Sequence, residues 1–169
     1  MGTVITQAWL EAVPHDADVF FLGDVAMKMN PNRLNGVLHS LPGKKYLIVG
    51  NHDKLILKRD ILRSCFEVVC DIGEVVIDGK QVVMCHYPLE SWPGRYRSVL
   101  HLHGHSHGKS RMVNNRVDVG VDATGDLWRP ITWAEVLNIR DRITDTLMDA
   151  MTDGPQPPVA SESMEDSDL

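Results

Sequence analysis

The chain has 169 residues, 43% hydrophobic and 24% charged. This is the composition of a globular domain and excludes a disordered, collagen-like or coiled-coil chain. No apolar run approaches the roughly 18 residues of a membrane span, and Met1–Leu10 lacks the basic start and long apolar core of a signal peptide. Cys65, Cys70 and Cys85 form no CxxC pair, which argues against a disulfide framework and fits a reducing, cytoplasmic location. The net charge of -6 is concentrated in residues 152–169, where Asp153, Glu162, Glu165, Asp166 and Asp168 stand without a Lys or Arg. The remainder is near neutral and carries no global nucleic-acid signature.

In chain order, Val4–Val13 has apolar residues at helical spacing and stops at Pro14. Val19–Leu22 is a short continuous apolar run, the pattern of a strand covered on both faces, and ends at Gly23-Asp24. Asn30-Pro31 reads as an N-cap with Pro at the first helical position, and Gly43 closes that helix after Leu41. Tyr46–Val49 is a second buried strand, followed by Gly50-Asn51-His52-Asp53 and a helical stretch to about Arg63. Phe66–Cys70 is a third strand. Glu74–Ile77 and Lys80–Met84 flank Asp78-Gly79, a type I′ hairpin signal.

A loop from His86 to Arg97 follows, rich in Pro, Trp, Tyr and Arg. Val99–Leu102 is a strand leading into Gly104-His105-Ser106-His107, and Arg116–Val121 alternates as another strand. Thr132-Trp133-Ala134-Glu135 is a capping box that opens a last helix to about Met148. The organisation expected is one domain over residues 1–150 and an acidic, Pro/Ser-rich disordered tail over 151–169. Alternating strands and helices followed by antiparallel strands give an α/β fold.

Four polar clusters stand immediately after expected strands: Gly23-Asp24, Gly50–Asp53, His86 and Gly104–His107. In open α/β sheets ligands bind beyond the carboxyl ends of strands, so these clusters converge on one region. Each is weak alone. A lone Gly-Asp is usually a turn, Asn51 or Asp53 could cap the next helix, and His86 could be a packed histidine. Together, imidazole and carboxylate without cysteine suit a transition metal better than Ca or Mg.

In this order the clusters resemble the signature of the calcineurin-like metallophosphoesterases: GD, GNH[DE], a lone His, and GHxH. The resemblance covers roughly residues 1–140 and is strongest to the small bacterial and phage branch, through Leu41–Tyr46, His86-Tyr87-Pro88, Leu102–His107 and Val119–Asp122. It implies a sandwich of two mixed β-sheets flanked by helices. It also implies metal-dependent hydrolysis of a phosphomonoester or phosphodiester by a metal-activated hydroxide.

By the same resemblance, Asp24 bridges two metals, Asn51, His86 and His105 complete one site, and His107 serves the other. His52 is catalytic over the phosphate, and Asp53 orients it. The cofactor is a divalent transition metal, Mn, Zn, Fe or Ni; the family uses two ions. The partner is a phosphoester substrate, nucleotide or nucleic-acid derived, and not a membrane.

The family's first motif, D-x-H, has no counterpart here. His15, Asp16 and Asp18 precede the strand that Asp24 follows, so they fall at the opposite sheet end. The resemblance therefore implies an N-terminally shortened chain, by a misplaced start or a natural short form. That leaves one competent metal site and an uncovered sheet edge prone to self-association. The alternative function is a weakened or inactive metal-binding or protein-interaction scaffold of the same fold.

Two readings of His86–Arg97 stay open. Tyr87, Trp92, Arg95, Tyr96 and Arg97 form either a phosphate- and base-contacting lip or a loop anchored by its aromatics. His101 and His103 are assigned structural roles, and Trp9, Trp128 and Trp133 core or interface roles.

Overall fold

The apolar runs around Phe20 and Leu47 become neighbouring strands of a parallel sheet. In the computed structural model, which describes residues 2–125 and 128–152, the elements run α1 (Gly2–Ala12), β1 (Asp18–Phe21), α2 (Pro31–Ser40), β2 (Lys44–Ile48), α3 (Lys54–Leu57), α4 (Asp60–Arg63), β3 (Val68–Cys70), β4 (Ile72–Ile77), β5 (Lys80–Cys85), β6 (Leu100–His103), β7 (Arg116–Asp118) and α5 (Trp133–Thr152). One sheet has the order β1-β2-β3 and the other β4-β5-β6-β7. No helix among the described residues is long and apolar enough to cross a membrane.

The local signals act as their chemistry requires. The Asn30 side chain accepts from the Asn32 and Arg33 amides at the start of α2, filling donors that the first turn leaves open. Asp78 and Gly79 take φ 47° and 75°, the doubly positive pair of a type I′ turn. At α5 the Glu135 amide donates to Thr132 Oγ1, and the Thr132 amide donates back to Glu135 Oε2 at 2.7 Å.

Three expectations are corrected. The first sheet is not mixed: β1–β2 and β2–β3 are both parallel, because each connection carries helix over the sheet and returns the chain to the same end. The second is mixed, with β4–β5 antiparallel and β5–β6–β7 parallel. The helical stretch after Asp53 breaks into α3 and α4 where Arg59 turns extended, φ −129° and ψ 107°. β7 ends at Asp118, whose Oδ1 accepts from the Gly120 amide at 2.9 Å in a side-chain turn that competes with the ladder.

The last helix runs through Met151 and Thr152, which the tail assignment had claimed. Ala150 and Met151 are good helix formers, and the weaker formers Thr152, Asp153 and Gly154 follow. The rest of the expected tail, 153–169, lies outside the described residues.

The two sheets share a core. Ile48 packs with Val82, Met84, Leu100, Leu102 and Val117, and α5 contributes Val136. The other face of the parallel sheet buries Leu47 against Leu34 and Leu38 of α2 and Leu62 of α4. α1 covers β1 with Trp9, which packs on Val19 and donates Nε1–H to the Pro42 carbonyl. β1 has β2 as its one strand neighbour among the described residues.

The outer face of the second sheet is unusual, because β6 points His101 and His103 into it. His101 is fully buried. Its Nδ1 lies 3.2 Å from the Val83 carbonyl, and its Nε2 accepts from the Leu89 amide at 3.0 Å and lies 3.2 Å from the Tyr87 carbonyl. One nitrogen donates and the other accepts, so the ring is neutral. Burial pushes its pKa down to about 4 from the usual 6.5. The unfolded ring takes a proton near pH 6.5 and the folded one only near 4, so acid favours unfolding across that window. Denaturant titrations should show stability falling from pH about 6.5 to about 4, with a shallower fall in His101→Gln; equal slopes would remove His101 as the cause.

Candidate metal centre

The parallel strands β1, β2, β5 and β6 all end on the same side, so the segments after them meet. The tightest point of this meeting is Asp53. Its carboxylate is 1% exposed and accepts three backbone amides: Asp24 at 2.8 Å, Val25 at 2.9 Å and Gly50 at 2.8 Å. A buried charge is tolerated only when so bonded. Both oxygens accept amides, and no hydrogen bond from the His52 ring to Asp53 is found among the described residues. Asp53 instead ties the loop after β1 to the loop after β2.

That tie fixes Asp24, which adopts φ 56°, a left-handed conformation costly to a residue with a Cβ. Asp24 Oδ1 in turn accepts the His52 amide at 2.8 Å. The approach is close enough to exclude side chains from both glycines. A Cβ on Gly23 would fall 2.4 Å from His86 Nδ1, and one on Gly50 would fall 2.3 Å from Asp24 Oδ1.

His86 is buried to 1% exposure. Its Nδ1 is 2.7 Å from the Leu22 carbonyl oxygen. A carbonyl only accepts, so Nδ1 carries the proton and Nε2 carries a lone pair. That lone pair faces Asn51 Oδ1 at 3.0 Å and Asp24 Oδ2 at 3.5 Å. One ligand atom each from Asp24, His86 and His105 lies within 4.8 Å of the others. Acceptors turned on one another without a protein donor between them are a fit for a cation, and the donor set of imidazole, carboxylate and amide oxygen suits Mn, Zn, Fe or Ni.

His105 enters with φ 63°, and its ring stands 5.0 Å from that of His86. The Tyr87 ring meets both edge-on, at 4.9 and 4.8 Å. His107 does not join the group. Its side chain is 67% exposed, and Nδ1 donates to Asp122 Oδ2. His52 is exposed beside Asp24. Asp18, at the start of β1, accepts from the Tyr46 hydroxyl at 3.0 Å, at the strand end away from Asp24.

Sequence reasoning missed Asp118. Its Oδ2 accepts the Ser106 hydroxyl and the Gly108 amide, which braces the segment carrying His105 and His107. The signal available was Asp118-Val119-Gly120, an Asp two residues before a Gly, a common side-chain turn.

The loop 86–97 divides between its two readings. It connects parallel strands, so it must run from the carboxyl end of β5 to the amino end of β6. Beside His86, Tyr87 stays at the ligand end. Trp92 is buried, donates Nε1–H to the Val99 carbonyl at 2.9 Å and packs on His101. Arg97 lines a cavity of about 450 Å³ with Val76, Gln81 and Pro93, against the outer face of β4 and β5. Buried Arg116 holds the loop from below through the Leu89 carbonyl at 3.0 Å.

Asp53→Asn keeps the shape of the clamp and removes its charge. It should lower stability by about 1–3 kcal/mol and weaken Mn binding, read by denaturant unfolding and calorimetry; unchanged Mn affinity would mean the tie does not set Asp24.

No protein-family model matches the sequence. The Gene 66 protein of Mycobacterium phage D29 is 31% identical over 151 residues, covering 73% of this chain and 76% of that protein. The Gene 66 protein of Mycobacterium phage L5 is 27% identical, over 73% and 74%. The crystal structure of a protein of unknown function, AQ665 from Aquifex aeolicus, superposes with a TM-score of 0.60 over 86% of this chain and 83% of that one, at 24% identity; this similarity is one of fold. The chain belongs to the family of the mycobacteriophage Gene 66 proteins.

Proposed function

We propose that this member of the Gene 66 family is a metal-dependent phosphoesterase whose two-sheet α/β architecture is a calcineurin-like metallophosphoesterase sandwich. The observation that carries this reading is the group of Asp24, His86 and His105 ligand atoms within 4.8 Å of one another, with Asn51 Oδ1 against His86 Nε2. Four separate strand ends supply these side chains, an arrangement that packing alone does not require.

In this reading Asp24, Asn51, His86 and His105 hold a divalent cation. Such a cation supplies positive charge to the ester's phosphate oxygens and lowers the pKa of water. The chain's own residues do the rest. Asp53 and the two glycines keep Asp24 and Asn51 in register. The Leu22 carbonyl fixes the His86 tautomer, so that Nε2 stays bare without any ionisation. His52, anchored through its amide on Asp24, faces solvent where an ester would sit, and is the residue assigned to protonate the leaving oxygen. His107 stands outside the group of Asp24, His86 and His105, which favours a centre with one ion over one with two. That separation is also the observation that supports the rival reading, a metal-binding scaffold without turnover.

Calorimetric titration with Mn should show one site in the native chain and a sharp loss of affinity in His86→Ala and His105→Ala; unchanged stoichiometry in both would remove these ligands from the proposal. Hydrolysis of an aryl phosphodiester separates enzyme from scaffold. It should fall by about 10²–10⁴-fold in His52→Gln while Mn content holds. Binding of Mn without any hydrolysis by the native chain would select the scaffold.

A further inference from the structure

We infer that the substrate class of this site is single-stranded nucleic acid, held by its phosphates along the rim of the Asp24–His86–His105 cluster. The inference rests on the phosphoesterase reading and adds to it what is bound.

The first observation is the distribution of charge. The segments that follow β1, β2 and β6 carry Lys28, Lys54, Lys58, Arg59 and Lys109, all exposed, and none in an ion pair among the described residues. Exposed Asp60 and Asp71 also lie in segments after β2 and β3, while other carboxylates there are engaged. Asp53 is bonded to amides, Asp118 to Ser106 and Gly108, and Asp122 to His107. At the other ends of the strands Asp16, Asp18, Glu67 and Asp78 stand among Lys44 and Lys80. The segments beyond the carboxyl ends of the strands therefore hold more exposed, unpaired cations than exposed, unbonded carboxylates. A row of cations attracts a polyanion more strongly than a single phosphate.

The second observation is Tyr87. It is 43% exposed while its ring is held against two candidate ligands. A fixed, half-exposed ring beside the metal position offers a π-face to a base. In a duplex the bases are already stacked on one another, so the strand that can use this face is a single one.

The third is openness. Two cavities among the described residues, lined by Ile131, Glu135 and Ile139 in one case and by Val76, Gln81 and Arg97 in the other, do not include the cluster. A small ester would find few walls here. A polymer gains its contacts from the rim on either side of the reacting phosphate.

The test is fluorescence anisotropy of a labelled oligodeoxythymidylate of about 12 nucleotides, with the native chain in chelator so that no turnover interferes. Binding should weaken steeply between about 50 and about 200 mM salt. Lys54→Glu with Lys58→Glu should cost about tenfold or more in affinity and flatten the salt dependence. Tyr87→Ala should cost about tenfold at an unchanged salt slope. Lys80→Glu, at the far end of the strands, should change nothing.

Absence of binding by the native chain would overturn the inference. So would equal affinity for polyglutamate or for duplex of the same length, or an equal loss in Lys80→Glu. Mn titration and aryl-ester hydrolysis, run on the same samples, report on the underlying reading separately. Intact metal binding and hydrolysis without oligonucleotide binding would sink the substrate class alone.

Discussion

The buried carboxylate of Asp53 is the interaction on which the site depends. It stands between two loops that come from different strands, and its three amide bonds make the loops one unit. Without that anion, one buried and two partly buried amide N–H groups would lose their acceptor, at a cost of the order of 1–3 kcal/mol for a buried group left unsatisfied. With it, Asp24 is held at a positive φ that its own backbone disfavours, and its carboxylate is aimed away from Asp53 toward His86. The glycines at 23 and 50 follow from the same closeness, since a Cβ on either would collide with the site it supports. Strain at Asp24 and His105 thus sits where the surroundings over-determine the backbone, as expected of positions that a ligand uses.

The second constraint is electrostatic. The Leu22 carbonyl takes the one proton of the His86 ring and so turns the other nitrogen, bare, toward Asn51 and Asp24. In the proposed reading a cation stands among these lone pairs. The same loop is held from beneath by buried polar groups. His101 accepts the Leu89 amide and Arg116 donates to the Leu89 carbonyl, so the stretch that begins at His86 rests on β6 and β7. Neutral His101 and charged Arg116 are tolerated in that layer because each finds backbone partners there.

Parallel topology decides how much of each loop can serve the site. β5 and β6 run the same way, so the segment between them leaves the ligand end at once and crosses the outer face of the sheet. That is why Tyr87 stands on the His86 and His105 rings while Trp92 is a core residue and Tyr96, 89% exposed, lies beyond the crossing. His107 is also separated from the cluster. It follows His105 by two residues, but its Nδ1 donates to Asp122 and its side chain stays exposed.

The sequence by itself determined whatever is settled within a few residues. Asn30 and Thr132 cap their helices, Asp78-Gly79 turns the hairpin, and the apolar runs become strands, because each of these depends on φ preferences and on donors one turn away. It also placed Asp24, Asn51, His86 and His105 after strand ends, which was enough to bring them together once the strands proved parallel. Tertiary structure alone decided the partners. The acceptor for His86 is 64 residues away and the amide donors to Asp53 include one 29 residues away, so neither follows from local spacing. The same holds for the role of Asp53, the braces at Asp118 and Asp122, and the division of the loop 86–97. Each depends on the register between strands that the chain brings together only when folded, and register is set by the whole pattern of buried side chains rather than by the residues that use it.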